Sequence, residues 1–121
     1  MKVLNQFEAW DFLLKNEGAI MIDVRTPDEW ESGVPEISST NNEILFITIS
    51  TNSDDFVDKL QQNIKNLSAP MLFLCYGCMR SATAATYAKN AGYTNCYNVS
   101  GGFCEWSKAG LPWIKKEKTH A

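Results

Sequence analysis

A chain of 121 residues, 45% hydrophobic and 21% charged, has the size and balance of one globular domain with a single core. Eleven basic against fourteen acidic residues leave a net charge of −3, and the basic cluster Lys115, Lys116 and Lys118 reads as a solvated terminus, so nucleic acid is not an expected partner. No run approaches the roughly 18 apolar residues of a membrane span, and Asn5, Glu8 and Asp11 leave no apolar stretch for export, so no membrane partner and a cytoplasmic, reducing setting with free thiols are expected.

Two periods alternate along the chain. Phe7, Trp10, Leu13 and Leu14 fall at helical spacing, and residues 19–24 form a short apolar run closed by Thr26-Pro27-Asp28, which predicts a helix and then a buried strand. A short helix follows, with Thr26 or Asp28 as its cap, Pro27 in its first turn, and Glu29 and Glu31 against the positive end of its dipole. Residues 33–42 carry turn chemistry, and residues 44–49 (ILFITI) are a second strand rich in β-branched and aromatic side chains. The next helix starts near Ser53, repeats apolar residues at Phe56, Leu60 and Ile64, and is stopped by Ser68-Ala69-Pro70.

Met71–Leu74 is apolar throughout, which predicts a central strand covered on both faces. It runs into Cys75-Tyr76-Gly77-Cys78-Met79-Arg80-Ser81, and an Ala-rich helix over 82–90 closes at Ala91-Gly92. A last strand spans 95–99 and a last helix 103–109, ended by Gly110 and Pro112. No repeat or linker interrupts the series, so the whole chain reads as one domain with a core from about 5 to 113 and a tail over 114–121. Strands alternating with helices imply right-handed βαβ units and a mostly parallel α/β sheet with helices on both faces. In such sheets ligands bind at the carboxyl ends of the strands.

Two scarcities narrow the chemistry. The single histidine, His120, stands beside the C-terminus, which sets aside a Cys–His dyad, a Ser–His–Asp triad and a histidine-based metal site. The two arginines are Arg25 and Arg80, so any planar, two-pronged grip on an oxyanion must use one of them. The four cysteines do not make a disulfide scaffold, since a chain of this size folds without staples.

Cys75 ends the central strand and the chain then turns directly into a helix. Backbone N–H groups from Tyr76 to Ser81 therefore converge around the sulfur as an anion nest, and these groups, the helix dipole and Arg80 all favour the thiolate. The same cradle suits an incoming oxyanion or a persulfide on Cys75, with Arg80 presenting its fork. The plainer alternative is a small apolar residue closing a buried strand. Arg25, in Asp23-Val24-Arg25, lies on the same rim, where it either pairs with Glu29 to pin the short helix or contacts substrate.

The order Asp23-Val24-Arg25 with Glu29, then Cys75 to Arg80-Ser81 between strand and helix, then Gly101-Gly102 with Trp106 and Gly110-Leu111-Pro112-Trp113, resembles a single-domain rhodanese, a sulfurtransferase. The resemblance runs from about Ala19 to Trp113. It implies a three-layer sandwich around a five-stranded parallel sheet, with Cys75 as the nucleophile that takes a sulfane sulfur from thiosulfate or a persulfide donor and passes it to a thiol or cyanide. It also implies that Tyr76, Gly77, Cys78, Met79, Arg80 and Ser81 bind the substrate, with Asp23, Arg25 and Glu29 supporting them, and it implies no cofactor. Cys75 and Arg80 enclose four residues, the shorter loop suited to sulfur, whereas related phosphatases and arsenate reductases have one more. Two departures stand out: the family usually has Gly at the position of Cys78, and Gly33-Val34-Pro35-Glu36 lacks the His and small residues of the usual Gly-His-Ile-Pro-Gly. Cys78 would strain the loop if that position needs positive φ.

Three other readings compete. Cys75 and Cys78 form a C-x-x-C at a strand-to-helix junction, where a dithiol redox pair would sit, but Arg80 and the Gly101-Gly102…Trp106 segment speak for sulfur transfer. A zinc site from Cys75, Cys78, Cys96 and Cys104 has the ligand number but poor spacing, so no metal is expected and Cys96 and Cys104 read as packing residues. A non-catalytic binding module would have no need of a thiolate in an anion nest, and Trp106 and Trp113 read as core or pocket wall.

Overall fold

The apolar segment Met71–Leu74 is the middle strand of the molecule. In the computed structural model, which describes residues 2–115, the elements in chain order are β1 (Lys2–Leu4), α1 (Gln6–Lys15), β2 (Ile20–Asp23), α2 (Pro27–Glu31), β3 (Val34–Pro35), β4 (Glu43–Phe46), α3 (Ser53–Asn63), β5 (Met71–Leu74), α4 (Met79–Asn90), β6 (Cys96–Val99), α5 (Gly102–Lys108) and β7 (Trp113–Ile114). Five strands make one parallel sheet in the order β1-β6-β5-β2-β4, while β3 and β7 pair antiparallel as a small separate ribbon. The predicted three-layer α/β architecture is the observed one.

Alternation along β5 splits its side chains between two cores. Met71, Phe73 and then Cys75 pack with Ile22, Val24, Phe56 and Leu60 and with the alanines Ala84, Ala85 and Ala88 of α4. Leu72 and Leu74 pack on the other face with Met21, Ala9, Leu13, Phe103 and Trp106, under α1 and α5. The small side chains of α4 let its backbone lie close to the sheet, which brings the helix start directly over the end of β5.

Local chemistry accounts for the helix starts. Asn5 and Glu8 form a capping box on α1, Thr26 and Glu29 form another on α2 with Pro27 in the first turn, and the Asn52 side chain accepts from the Asp54 and Asp55 amides at the start of α3. Of the two cap candidates for α2, Thr26 is therefore the cap.

Several boundaries differ from the sequence expectations. The sheet begins at Lys2 rather than beyond residue 5, because Lys2–Leu4 adds an edge strand alongside β6, and three residues with a lysine carry too short a pattern to read. Ile114, assigned to the tail, pairs with Val34 in the ribbon; the rest of that tail from Lys116 on, with Lys118 and His120, lies outside the described residues. β4 leaves the ladder at Phe46, yet the Ile47 and Ile49 amides still donate to the Asp23 and Val24 carbonyls, so the apolar run continues along β2 as an irregular extension. α4 begins at Met79, three residues before the predicted start, with Cys78 as its N-cap. No helix among the described residues is long and apolar enough to cross a membrane.

A buried ion pair ties the sheet to the ribbon. Arg25 is 1% and Asp23 0% exposed. Asp23 takes bonds from Arg25 Nε at 3.0 and 3.2 Å and from Nη2 at 2.8 Å, while the same guanidinium reaches the Gly33 carbonyl at 2.8 Å and the Glu29 carbonyl at 3.3 Å and covers the Phe103 ring at 4.4 Å. Arg25→Ala strands the Asp23 carboxylate in the core, and such losses cost about 3–5 kcal/mol. Urea unfolding of the variant is expected to show a loss of that size, and a midpoint equal to that of the parent protein would show that the pair contributes nothing.

Candidate active site

β2 and β5 are adjacent, with Asp23 opposite Leu74, so the chain leaves both strands at the same rim. The Val24 amide donates to the Leu74 carbonyl at 2.9 Å, which sets Arg25 and Cys75 side by side at the carboxyl edge of the sheet. Cys75 is buried, and its sulfur lies 3.2 Å from Ser81 Oγ in the first turn of α4. Ser81 Oγ lies 2.6 Å from Asn98 Oδ1 and 3.2 Å from the Cys78 carbonyl, and Asn98 Nδ2 is 3.5 Å from that same carbonyl. Cys75 therefore sits under the start of a twelve-residue helix whose first N–H groups have no acceptor within the helix.

The segment after Cys75 is held from the far side by backbone. The Phe103 and Cys104 amides, in the first turn of α5, donate to the carbonyls of Cys75 and Tyr76 at 2.8 and 3.0 Å. Gly102 makes this approach possible: its φ is +61°, and a Cβ there would lie 2.3 to 2.5 Å from the carbonyl oxygens of Gly77, Tyr76 and Cys75. Gly102 is thus a requirement of the loop, whereas Gly101 lies against the Glu105 side chain.

Arg80 does not stand free in the site. Its Nη1 and Nη2 donate to Glu29 Oε1 and Oε2 at 2.6 and 2.8 Å, a two-pronged pair between α4 and α2. This corrects the expectation that Glu29 would pair with Arg25: Arg25 meets only the Glu29 backbone carbonyl, and its own partner is Asp23. Arg25 thus aims its guanidinium at Asp23 and at the Gly33 and Glu29 carbonyls with its face on Phe103, and its carboxylate partner is Asp23 rather than the expected Glu29. Arg80 keeps its Nε–H and one N–H on each Nη for another oxyanion, since a guanidinium carries five donors and two face Glu29.

Tyr76 and Met79 flank the loop at 53% and 77% exposure. Met79 and Arg80 open onto a groove of about 390 Å³ completed by Ile49, Ser50, Thr51, Thr83 and Tyr87. Gly77 and Cys78 are exposed, and Cys78 has φ −140°, an ordinary value for any residue, so the cysteine that replaces the usual glycine introduces no backbone strain. All four thiols are free.

The other two cysteines are elsewhere. Cys96 is level with Met71 at the amino end of β6, about 13 Å along the strands from Cys75 at roughly 3.3 Å per residue, and burial pushes its thiol up. Cys104 lies on α5, and interaction with its side chain pushes the Tyr76 hydroxyl and the Lys108 ammonium up. Among the described residues, no three histidine, cysteine, aspartate or glutamate side chains gather to hold a metal ion.

Two site partners were not legible in advance. The Arg80–Glu29 pair joins residues 51 apart in sequence, and Asn98 was read only as part of a strand. A polar side chain inside a buried strand was the one available signal for Asn98, since such groups are retained when they are hydrogen-bonded.

The Glu29 carboxyl is held down from its ordinary value near 4.5 to about 2, first by the hydrogen bond from Arg80 and opposed by partial burial. Its contribution to stability is therefore complete above about pH 4.5 and is lost as the pH falls toward 2. The thermal midpoint of the parent protein should exceed that of Glu29→Gln at pH 6, with the gap closing between pH 4.5 and 2; parallel curves through that window would show that the pair is not coupled to folding.

Comparison with known proteins gives one consistent relationship. The Rhodanese-like domain family matches residues 8–109. "Uncharacterized protein RP600 homolog" of Rickettsia rickettsii is 38% identical over 114 residues, covering 88% of this chain and 91% of that one. The thiosulfate sulfurtransferase GlpE of Pseudomonas entomophila is 33% identical over 95 residues, covering 77% and 74%. Among solved structures, Rv0390 from M. tuberculosis superposes with a TM-score of 0.83 at 33% identity, covering 96% of this chain and 98% of that one. The match over most of the chain, on the fold and loop described above, makes this protein a member of the rhodanese-like family.

Proposed function

We propose that this protein is a sulfurtransferase that works through a persulfide on Cys75. The observation that carries the reading is the placement of Cys75: a buried sulfur at the end of the central strand, under the N-terminal turn of α4, with Arg80 on that turn. In the first half-reaction the Cys75 thiolate attacks the outer sulfur of a donor such as thiosulfate. The sulfur–sulfur bond of the donor breaks, sulfite leaves with the electron pair, and Cys75 becomes a persulfide. In the second, a thiolate or cyanide attacks the terminal sulfur and Cys75 leaves as thiolate. No net oxidation occurs and no cofactor enters.

The chain's own groups supply what these steps need. Amides from Tyr76 to Ser81 stabilise the anionic sulfur, as donors fixed in advance in a dry site do. The free donors of Arg80 bind the oxygens of the donor, and Glu29 holds the guanidinium in place for them. Tyr76 and Met79 form the mouth and influence which donor or acceptor enters. The four-residue spacing between Cys75 and Arg80 and the thiosulfate sulfurtransferase among the relatives support sulfur over phosphate as the cargo. A cytoplasmic, reducing compartment would keep Cys75 available and supply thiol acceptors.

The exposed Cys78 three residues from Cys75 favours one second reading, a dithiol that cycles through a Cys75–Cys78 disulfide. Intact-protein mass spectrometry separates the two. Reduced protein treated with thiosulfate should gain one sulfur, about 32 Da, and Cys75→Ser alone should abolish the gain while Cys78→Ser keeps it. If no sulfur loads, and mild oxidant instead removes two hydrogens in a reaction needing both cysteines, the dithiol reading replaces this one. Arg80→Ala should raise the thiosulfate concentration for half-maximal loading about tenfold or more, the worth of a charged hydrogen bond; an unchanged concentration dependence would remove Arg80 from donor binding.

A further inference from the structure

The Ser81 hydroxyl has one hydrogen and three neighbours able to receive it: Asn98 Oδ1 at 2.6 Å, and Cys75 Sγ and the Cys78 carbonyl at 3.2 Å each. With the hydrogen on Asn98, the nearest, Cys75 is served only as a thiol, donating its own S–H to Ser81 Oγ. A thiolate cannot donate, so it needs the Ser81 hydrogen. Turning that hydrogen to sulfur would leave two lone-pair-bearing oxygens 2.6 Å apart in a buried site, a costly arrangement.

The side chain of Asn98 removes the conflict. An amide has donors at one end and an acceptor at the other, in nearly the same shape. Rotated half a turn, Asn98 offers Nδ2–H to Ser81 Oγ, and the hydroxyl is then free to donate to sulfur. The turn exchanges the long 3.5 Å contact of Nδ2 with the Cys78 carbonyl for a weak opposition of Oδ1 at that distance, and that carbonyl keeps the Ala82 amide at 3.1 Å. An aspartate has the same shape and no donor; a leucine has neither.

We infer that Asn98 is a positioning residue for the Cys75 nucleophile, its amide turning over as Cys75 gives its proton to water so that the Ser81 hydroxyl donates to the charged sulfur. The inference deepens the sulfurtransferase reading and rests on it for its biological meaning. It touches no substrate: Asn98 acts through Ser81. The charged side chains around Cys75 are Arg80, with Glu29 and Asp23 behind it, and Arg25 on the adjoining strand end, and none of these is altered in the test.

The test is the rate at which iodoacetamide alkylates Cys75 in the full chain, read at that residue by fragment mass spectrometry. Asn98→Asp, an acceptor only, is expected to slow alkylation at about pH 7 roughly tenfold, with the gap closing near pH 10 where thiols ionise unaided. Ser81→Ala is expected to slow it similarly. In the Ser81→Ala background, Asn98→Asp should cost less than about threefold more, because its route to sulfur is gone. A purely structural or purely charge-based role would give the same factor in both backgrounds, and that result, or no slowing in Asn98→Asp, overturns the inference. If Asn98→Asp fails to fold, Ser81→Ala decides: unchanged alkylation means the hydroxyl never serves the sulfur, and slowed alkylation supports the donation. Alkylation needs no sulfur donor, so a protein that loads no sulfur from thiosulfate still answers this question, and the two readings fail separately.

Discussion

The reactive segment depends on one close approach of backbone to backbone. The first turn of α5 donates from Phe103 and Cys104 to the carbonyls of Cys75 and Tyr76, and Gly102 meets the carbonyls of residues 75 to 77 at a distance that admits no side chain. These contacts turn the carbonyls of the loop toward α5. A peptide that points its carbonyl one way points its N–H the other, so the same contacts turn the Tyr76 and Gly77 amides away from α5. The loop is thus shaped by an element that follows it by more than twenty residues.

Charge is divided between the two arginines by depth. Arg25 is buried with Asp23, and its remaining donors are spent on the Gly33 and Glu29 carbonyls, so it joins β2, α2 and the ribbon into one frame. Arg80 lies at the rim, part-exposed, and shares Glu29 with solvent. Glu29 connects the two levels: its carbonyl meets Arg25 and its carboxylate meets Arg80. A rim pair of this kind contributes little to stability compared with the buried one. What it gives instead is position, since the two-pronged contact holds the Arg80 guanidinium between α4 and α2.

The parts of this arrangement that were legible in the sequence are those encoded locally. Apolar runs at 19–24 and 71–74, the periodicity of α1 and α3, the cap at Thr26 and the strand-loop-helix order around Cys75 each follow from neighbouring residues. The parts that were not legible come from residues far apart in the chain. Pairing with Glu29 was one of two roles expected of Arg25, but Arg25 faces Asp23 in the core and leaves the carboxylate to Arg80. The edge strand at Lys2 and the two-residue ribbon strands are too short to carry a period. Start positions of helices slipped for the same reason: α4 begins at Met79 because Cys78 caps a turn that the sheet and α5 both impose, and the Ala-rich sequence alone does not mark that point.

Four thiols in one small domain raise the question of what makes one of them special, and placement answers it without a base. Cys96 is buried at the opposite end of the sheet, and Cys104 stands on a different helix, α5. Cys78 is in the loop but exposed, at the cap position, where water competes for any stabilising contact. Cys75 alone is both buried and set beneath the start of α4, beside the hydroxyl of Ser81. The proposed persulfide chemistry puts a charged sulfur in a buried place, which calls for donors aimed at it. On the proposed reading, the helix turn would offer amides, and the Ser81 hydroxyl would add one more donor when Asn98 lets it turn. A strand residue would thereby help set the charge state that the proposed chemistry requires.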